Sequence, residues 1–278
     1  MPSSPNPGTA LVDAKMRQLL GSSTVAEAAR YHLNSGGGKT RAQLALDASF
    51  ALGLPQDAAI ACACTVELLH NASLVHDDLQ ENDLLRRGQP AVWHQYGAAM
   101  AICTGDLMIS AAFASLADHP RAGPAMLIVH DAITRTAAGQ IDDLTHQIRT
   151  LASYRAVVAG KTGPLLALPV RLALCAAVAP GDEIAVMIGD HIAFAYQALD
   201  DLLDRDDDQA AERMNICLIL ESTGTSPSDV RQIVAYETRQ ALTVVRALSA
   251  RLPSDCGTAF QQIADRLAIT FMEHANAA

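Results

Sequence analysis

The most constraining feature of this sequence is its reliance on small aliphatic residues. Half of the residues are hydrophobic but only 4% are aromatic. About 50 are alanines, which have the highest helix propensity and a low strand propensity. Segments typical of strands are nearly absent. The sequence therefore predicts an all-α protein, and a chain of 278 residues can bury a core without stabilising crosslinks.

Apolar periodicity between turn signals gives the expected helices. The segments 42–53 and 58–79 are almost continuously apolar, as buried helices are. Further helices are expected over 95–116, 124–146, 154–179, 183–205, 227–252 and 255–274. The Pro/Ser/Gly-rich residues 1–10 predict a disordered tail. Because no low-complexity linker divides the remainder, residues 11–278 predict a single domain.

Charge and cysteine content narrow the class of protein. The net charge of −10 is spread along the chain, which argues against a nucleic-acid partner, since such partners need a basic face. The six cysteines form no CxxC pair and are typical of buried thiols in a reducing compartment. The apolar tract 165–180 contains Pro169 and Arg171 and is short for a membrane span. We therefore expect a cytoplasmic protein without a membrane span.

A first acidic cluster follows one of the apolar segments, where residues 76–88 read HDDLQENDLLRRG. Asp77 and Glu81 are four residues apart, so their side chains lie on one face of a helix, with Asp78 on the adjoining flank. Arg86 and Arg87 follow directly.

A second acidic cluster repeats this spacing, where residues 197–204 read QALDDLLD. Carboxylates at the ends of buried helices repel one another and lose hydration, so they require a cation. With no accompanying His or Cys ligands, Mg²⁺ fits best. A single Asp-Asp pair is typical of a solvated surface, but two clusters with matching spacing, each after an apolar helix, favour a metal site.

At these residues the sequence resembles the trans-isoprenyl diphosphate synthases, also called polyprenyl synthetases. The segment 67–78, ELLHNASLVHDD, resembles the helix that leads into the family's first aspartate-rich motif, and 85–90, LRRGQP, resembles its continuation. The motifs GD at 105–106, GQ at 139–140, GKTG at 160–163 and the second acidic motif at 196–204 follow in the family's order. The resemblance covers about residues 36–217. Each motif by itself is a weak signal, but the motifs in this order are a specific one.

The resemblance implies an orthogonal helical bundle of the isoprenoid synthase type, with a central active-site cavity, that forms a homodimer. It also implies a prenyltransferase that joins isopentenyl diphosphate to dimethylallyl, geranyl or farnesyl diphosphate and releases pyrophosphate. In the family, Mg²⁺ ions bridge the two acidic motifs and hold the allylic diphosphate. We expect three ions here, with the carboxylate ligands Asp77, Asp78, Glu81, Asp200, Asp201 and Asp204.

Further roles follow from the resemblance. The residues that match the family's allylic diphosphate site are Arg86, Lys161 and Gln197, with Thr162 placed to help stabilise the cation. The residues that match its isopentenyl diphosphate site are Arg41, Arg87 and His70. Two plainer interpretations stay open, because Lys161 by itself is typical of a helix surface and His70 of a buried core histidine.

Three departures from the family pattern bear on these roles. Glu81 stands where an aspartate is usual, which preserves the oxygen ligands. Gly38 stands where the family has a lysine, so Lys39 would have to bind isopentenyl diphosphate from the next position. After the second motif, Arg213 and Asn215 replace the family's Gly-Lys pair.

In this family, residues beneath the first motif set the product length. Ala72 and Ser73, the fifth and fourth residues before Asp77, are both small, so a growing chain can pass them. Larger residues one layer deeper, such as Leu69, would stop the growing chain and so predict geranylgeranyl diphosphate as the product. Products of twenty-five carbons or more are the alternative. Plain helix packing at these positions is the alternative.

Two other functions stay open. The same fold could ionise an allylic diphosphate without isopentenyl diphosphate, as a terpene cyclase or in an irregular condensation; Gly38 favours this alternative, while Arg87 and His70 argue against it. A non-catalytic subunit of a heteromeric synthase is the third hypothesis. Such subunits usually lose aspartates from one motif, whereas this chain keeps both clusters.

Overall fold

The computed structural model of the protein describes residues 7–145, 148, 150–210 and 213–275. These residues form fourteen α-helices, two 3₁₀ turns and one two-stranded hairpin, which confirms the all-α prediction. The described chain divides into two compact units, and the single domain expected over residues 11–278 stays a prediction. The first takes the described residues up to Leu127 together with Leu172–Val178, and the second takes Ile128–Arg171 and those from Ala179 onward.

The first unit is built around one long central helix. Its elements are α1 (Pro7–Leu20), α2 (Thr24–Asn34), α3 (Thr40–Ala51), α4 (Gln56–Gln80), β1 (Leu85–Arg86), β2 (Gln89–Pro90), α5 (Val92–Tyr96) and α6 (Ala98–Ser115). Helix α4 packs mainly against α6, α3 and α1. Because α1 begins at Pro7, residues 7–10 of the predicted tail are helical, and residues 1–6 lie outside the described residues.

Helix α4 is buried along most of its length, and the polar side chains inside it have partners. Thr65 donates its hydroxyl to the carbonyl of Ala61 at 2.8 Å, and Asn71 donates its amide to the carbonyl of Glu67 at 2.7 Å. A Cβ at Gly105 would lie 2.0 Å from His76 Nε2. Glycine at this position therefore lets α6 approach the last turns of α4.

The second unit is also built around one long helix. The remaining helices are α7 (Ala122–Thr145), α8 (Leu151–Lys161), α9 (Gly163–Ala177), α10 (Asp182–Leu203), α11 (Arg205–Ala210), α12 (Ile216–Ser222), α13 (Pro227–Ser249) and α14 (Thr258–Ala275). Helix α10 packs mainly against α13, α8 and α14. Part of α7 and part of α9 belong to the first unit.

The helix expected over 154–179 is broken in the structure. Helices α8 and α9 meet at Thr162 with a bend of 46°. Pro164 explains the break, because proline disfavours helical geometry at the preceding residue and lacks the amide that would continue the ladder. The helix expected over 95–116 likewise divides at Gly97, where φ is +89°. Helices α1, α2 and α12, and all of α11 except Arg205, lie outside the segments predicted as helices.

Close glycine contacts hold the second unit together. A Cβ at Gly139 of α7 would lie 2.2 Å from the backbone nitrogen of Lys161, and Gly160 faces Gly139 from α8. A Cβ at Gly189 of α10 would lie 2.6 Å from the carbonyl oxygen of Gly163 at the start of α9. These backbone contacts fix the ends of α8 and α9 against their neighbours.

Two described helices, Gln56–Gln80 and Ala98–Asp118, are long and apolar enough to cross a membrane by length and composition alone. The bent pair of α8 and α9 would make a third such segment. The first two segments lie outside the tract 165–180, so the sequence expectation rests on a different part of the chain. In the structure, 78% of the apolar window of Gln56–Gln80 is buried by other parts of the protein, as in a core helix. The absence of a membrane span stays a prediction.

We expect Gly139→Ala to destabilise the protein, because the new methyl group would collide with the backbone of α8. Overpacking of this kind costs about 1–3 kcal/mol and lowers the unfolding midpoint by several degrees. Thermal unfolding followed by circular dichroism measures the effect. Gly123→Ala in the same helix is the matched control, since a Cβ there meets no atom within 4 Å. Equal midpoints for the two variants would contradict the close-contact argument.

Candidate active site

The first acidic cluster lies where α4 ends. Asp77 and Asp78 occupy its last turn, and Glu81 is the C-cap, with its backbone amide donating to the carbonyl of Asp77 at 2.8 Å. Asp78 is fully buried, whereas Asp77 and Glu81 are half-buried. Both flanking acids therefore remain accessible, while the middle acid points into the protein.

A tight hairpin aims Arg86 at the buried acid. Arg87 and Gly88 both have positive φ, 54° and 78°, as in the two-residue turns that twist a hairpin correctly. Arg86 Nε donates to Asp78 Oδ1 at 2.7 Å, and Nη2 donates to the same oxygen. Burial raises the pKa of Asp78, and the Arg86 contact partly offsets that rise. Asp78 Oδ2 has no hydrogen-bond partner among the described residues.

Three residues predicted for isopentenyl diphosphate lie in the first unit. Arg41 Nη1 contacts His70 Nε2 at 3.2 Å. A guanidinium only donates, so Nε2 accepts and the ring proton of His70 is assigned to Nδ1. Burial and the charges of Arg41 and Arg87 hold the pKa of His70 well below its usual range. His70 is therefore neutral, and the positive charge of this region belongs to the arginines.

Arg87 lies against the glycine loop that precedes α3. Its Nη1 donates to the carbonyl of Gly36, and a Cβ at Gly37 would lie 2.8 Å from its Cζ. Glycine at position 37 therefore makes room for the guanidinium.

Lys39 occupies a different environment. Its Nζ contacts Asp13 Oδ1 on α1 at 3.0 Å, and Asp13 also accepts from Arg17 Nε at 2.9 Å. The backbone of Lys39 is left-handed, with φ 45°. In this structure its ammonium is thus engaged with a carboxylate, and its predicted role in substrate binding stays a prediction.

The second acidic cluster lies where α10 ends and shows the same division of exposure. Asp200 and Asp204 are exposed, whereas Asp201 is only 1% exposed. Partial burial, together with repulsion from Asp204 and Asp208, raises the pKa of Asp200 to about 6. Burial raises the pKa of Asp201 to about 7, although its hydrogen bonds oppose the shift.

Asp201 is held by donors from several elements. Tyr154 of α8 donates its hydroxyl to Oδ2 at 2.9 Å, and the amide of Ile216 at the start of α12 donates to the same oxygen at 2.6 Å. Gln197, one turn earlier on α10, donates to Oδ1 at 2.8 Å. Asp201 and Gln197, predicted as metal and phosphate ligands, therefore contact each other.

Lys161 lies in the last turn of α8, and Thr162 is the C-cap of that helix. Lys161 Nζ donates to Asp143 Oδ2 at 2.5 Å. Asp143 lies one turn after Gly139 on α7, so the close contact between Gly139 and Gly160 brings the carboxylate to the ammonium. The sequence interpretation missed Asp143, although its position one turn after the Gly139-Gln140 motif was a usable signal.

Asn215, one of the two residues that replace the family's Gly-Lys pair, has a structural role. Its side chain caps α12 by accepting from the amide of Cys217 at 2.8 Å. It also donates to the carbonyl of Asp201 at 2.8 Å and to Asp208 Oδ2 at 2.9 Å. Asparagine before an apolar run is a common N-cap signal, and this one was overlooked.

The residues proposed for product length lie on α4. Ala72 and Leu69 are buried, and Ser73 is half-buried with its hydroxyl donating to the carbonyl of His70 at 2.9 Å.

The acidic clusters suit Mg²⁺ by the chemistry of their donors, which are carboxylate oxygens. Among the residues that the structure describes, no group of three or more His, Cys, Asp or Glu side chains forms a metal site by itself. This agrees with the habits of Mg²⁺, which usually takes one or two carboxylates and completes its shell with water and substrate phosphates. Burial, together with repulsion from Asp204 and Asp208, raises the pKa of Asp200, and a bound cation would offset this effect.

The chain is similar in sequence to proteins named as prenyl diphosphate synthases. A (2E,6E)-farnesyl diphosphate synthase of Mycobacterium tuberculosis is 38% identical over 177 residues, which are 61% of this chain and 49% of the relative. A geranylgeranyl diphosphate synthase of Methanosarcina mazei is 32% identical over 206 residues, 69% of this chain and 63% of the relative. The chain thus matches about half to two thirds of the length of these relatives.

Solved structures share the fold. A geranylgeranyl pyrophosphate synthetase from Geoglobus acetivorans superposes with a TM-score of 0.82 at 22% identity, covering 93% of this chain and 97% of that one. A decaprenyl diphosphate synthase from Rhodobacter capsulatus gives 0.81 at 22% identity, covering 94% and 95%. The family model described as polyprenyl synthetase matches residues 22–217, which is more than half of the chain. The chain belongs to the polyprenyl synthetase family.

Proposed function

We propose that the protein is a Mg²⁺-dependent trans-prenyltransferase that condenses isopentenyl diphosphate with an allylic diphosphate. One observation carries the proposal. Each of two buried helices ends in an acidic cluster with two accessible carboxylates, and each unit adds basic side chains of the kind that bind phosphate. Family membership and relatives named as prenyl diphosphate synthases support the same reaction.

In the proposed reaction, the bond between the allylic carbon and the diphosphate oxygen breaks, and its electron pair stays with the leaving diphosphate. The double bond of isopentenyl diphosphate attacks the allylic carbon, and loss of a proton restores a double bond. When bound, Mg²⁺ would neutralise negative charge on the diphosphate.

The residues of the first unit serve two tasks in this proposal. Asp77 and Glu81 bind metal. Arg41 and Arg87 bind the diphosphate of isopentenyl diphosphate through charge-assisted hydrogen bonds, and neutral His70 adds a donor at Nδ1. Arg86 keeps Asp78 in place and lies beside the metal ligands.

The second unit contributes Asp200 and Asp204 as metal ligands. Lys161 binds the allylic diphosphate by exchanging its carboxylate partner Asp143 for phosphate oxygens. Thr162, which directly follows Lys161, helps to stabilise the allylic cation.

A second function is favoured by one observation. Gly38 supplies no charge, and Lys39 is paired with Asp13, so isopentenyl diphosphate has fewer cations than in the family pattern. Ionisation of the allylic diphosphate without this co-substrate is therefore the alternative. Incubation with geranyl or farnesyl diphosphate alone distinguishes the two, since alcohols or cyclic hydrocarbons would support the alternative.

For the product we propose geranylgeranyl diphosphate. The small residues Ala72 and Ser73 support an open path for the tail, and Leu69 one layer deeper supports a limit to its growth. Relatives named as farnesyl, geranylgeranyl and geranylfarnesyl diphosphate synthases make products that bracket this length.

We also propose a cytoplasmic homodimer. Support for the dimer comes from α7, where the exposed apolar residues Ile141 and Leu144 are three positions apart and therefore lie on the same face of the helix. Support for the location comes from the six free cysteines, most of them buried, as expected in a reducing compartment.

We expect Asp77→Asn and Asp200→Asn each to lower kcat/KM by about a hundredfold to a thousandfold, because each removes a metal ligand that acts on the leaving group. Release of pyrophosphate from farnesyl and isopentenyl diphosphates with Mg²⁺ measures the loss. Asp206→Asn is the control, because that side chain is 91% exposed in the second unit and has no assigned role. Wild-type rates in both test variants would overturn the metal assignment.

We expect Gly38→Lys to lower the KM for isopentenyl diphosphate by about threefold to tenfold, because it supplies a charge-assisted contact. The site accommodates a side chain, since a Cβ there meets only Thr40 Oγ1 at 3.4 Å. Gly38→Ala fills the same space without charge and serves as the control. Steady-state kinetics with saturating allylic substrate measure the change. An identical KM in the two variants would show that position 38 does not face this substrate.

We expect Ser73→Phe to shorten the product by at least one isoprene unit, because the ring would block the path of the tail beneath the first acidic cluster. Mass spectrometry of products made from isopentenyl diphosphate with geranyl or farnesyl diphosphate measures the length. Ser73→Ala removes the hydroxyl without adding bulk and should leave the length unchanged. An unchanged distribution in the phenylalanine variant would place the limit to chain growth elsewhere.

A further inference from the structure

The residues assigned to isopentenyl diphosphate come from three separate elements of the first unit. Arg41 lies on α3, His70 on α4 and Arg87 at the turn of the hairpin. Arg41 and His70 contact each other directly, whereas the guanidinium of Arg87 contacts the chain that follows α2, at Ser35 and Gly36. The position of Arg87 relative to the other two therefore depends on α2, a helix outside the predicted elements.

Helix α2 is fixed to α4 by a buried hydrogen bond. His32 and Asn71 are both buried, and His32 Nε2 lies 3.1 Å from Asn71 Oδ1. Because an amide oxygen only accepts, the ring nitrogen donates. Burial and the charges of Arg87 and Arg86 lower the pKa of His32 to about 4, so the ring is neutral near pH 7. Asn71 directly follows His70, so this bond places α2 beside the residues assigned to isopentenyl diphosphate.

The residue before His32, Tyr31, connects α2 to the hairpin. Its hydroxyl donates to the carbonyl of Pro90 at 2.9 Å. Pro90 pairs with Leu85 at the open end of the hairpin. The ring of Tyr31 packs edge-to-face on Tyr96, with centroids 5.3 Å apart, which restricts the direction of the hydroxyl. Helix α2 thus holds the hairpin at two points, at its open end through Tyr31 and at its turn through the chain after the helix.

A second set of bonds holds the hairpin from α5 and does not involve α2. Trp93 Nε1 donates to the carbonyl of Asp83 at 2.8 Å, and the amide of Ala91 donates to the carbonyl of Leu84 at 2.9 Å. These bonds keep the hairpin folded when the Tyr31 hydroxyl is removed. Loss of that hydroxyl would therefore shift the hairpin relative to α2 rather than unfold it.

Resting on the proposed function, we infer that Tyr31 is a positioning residue for isopentenyl diphosphate. By holding Pro90, its hydroxyl keeps Arg87 directed at the diphosphate that the residues on α3 and α4 also bind. An arginine binds phosphate oxygens through N–H donors in a fixed planar arrangement, so a small displacement of the guanidinium weakens the contact. His32 supports this role because it fixes α2 to α4.

Steady-state kinetics of Tyr31→Phe test the inference, because this change removes the hydroxyl and keeps the ring. We expect the KM for isopentenyl diphosphate to rise about threefold to tenfold, which is the effect of losing one hydrogen bond to a neutral carbonyl. The kcat and the KM for farnesyl diphosphate should stay at wild-type values, since only binding of the other substrate is weakened.

Tyr96→Phe is the matched control, since it removes a hydroxyl from the other ring of the pair and leaves the contact with Pro90 intact. An unchanged KM for isopentenyl diphosphate in Tyr31→Phe, or an equal rise in the control, would overturn the inference. A fall in kcat without a rise in this KM would overturn it as well.

A double-mutant cycle with Arg87→Met shows whether Tyr31 acts through the guanidinium. Once the guanidinium is absent, its position no longer matters, so we expect Tyr31→Phe to have no further effect on the KM for isopentenyl diphosphate. Equal fold-changes in the two backgrounds would mean that Tyr31 acts independently of Arg87, which contradicts the positioning role.

Calorimetry of the full chain with isopentenyl diphosphate alone separates this inference from the proposed function. We expect the Kd of Tyr31→Phe to exceed the wild-type Kd by the same factor as the KM. Wild-type protein that binds isopentenyl diphosphate but transfers no prenyl group would contradict the prenyltransferase assignment, and a higher Kd in the variant would still support the role of Tyr31. Equal Kd values in a protein that does transfer prenyl groups would contradict that role alone.

Discussion

The crowding of carboxylates at the ends of buried helices is the constraint on which the rest of this structure depends. Helices α4 and α10 are apolar along most of their length and end in acids that burial and mutual repulsion disfavour in the charged form. In each unit, fixed hydrogen-bond donors stabilise the middle acid. Arg86 donates to Asp78, and Tyr154 together with a backbone amide donates to Asp201. What remains accessible is a pair of carboxylates suited to a hard cation.

Small residues make this arrangement possible. Glycines at positions 105, 139 and 189 let helices approach until a methyl group would collide with a neighbouring ring, backbone or side chain. Such contacts position functional side chains indirectly, as when the contact of Gly139 with α8 brings Asp143 to Lys161. The scarcity of aromatic residues and the abundance of alanine thus belong to the way the site is built, since bulky residues would hold these helices apart.

The sequence could predict what depends on local spacing. The long apolar segments became α4 and α10, and their acids occupy the helix ends as the four-residue spacing predicts. It could not predict partners that tertiary packing brings from elsewhere: Tyr154 is 47 residues from Asp201, and Asp13 is 26 from Lys39. The same holds for Asp201, which chain spacing places with the predicted metal ligands, whereas its burial and its donors are visible only in the structure. Its role as a metal ligand stays a prediction.

The pairing of the three lysines bears on the phosphate contacts proposed for Lys39 and Lys161. Each ammonium is paired with an aspartate, Lys15 with Asp118, Lys39 with Asp13 and Lys161 with Asp143. Exchange of a carboxylate for a phosphate oxygen conserves the charge contact, so pairing with Asp143 holds Lys161 ready without preventing it from binding a diphosphate. Asp13 is different, because it is also bound to Arg17, and its release of Lys39 would leave the carboxylate still satisfied. In the proposed reaction, release of Lys39 would therefore add one cation to Arg41 and Arg87 at the isopentenyl diphosphate site.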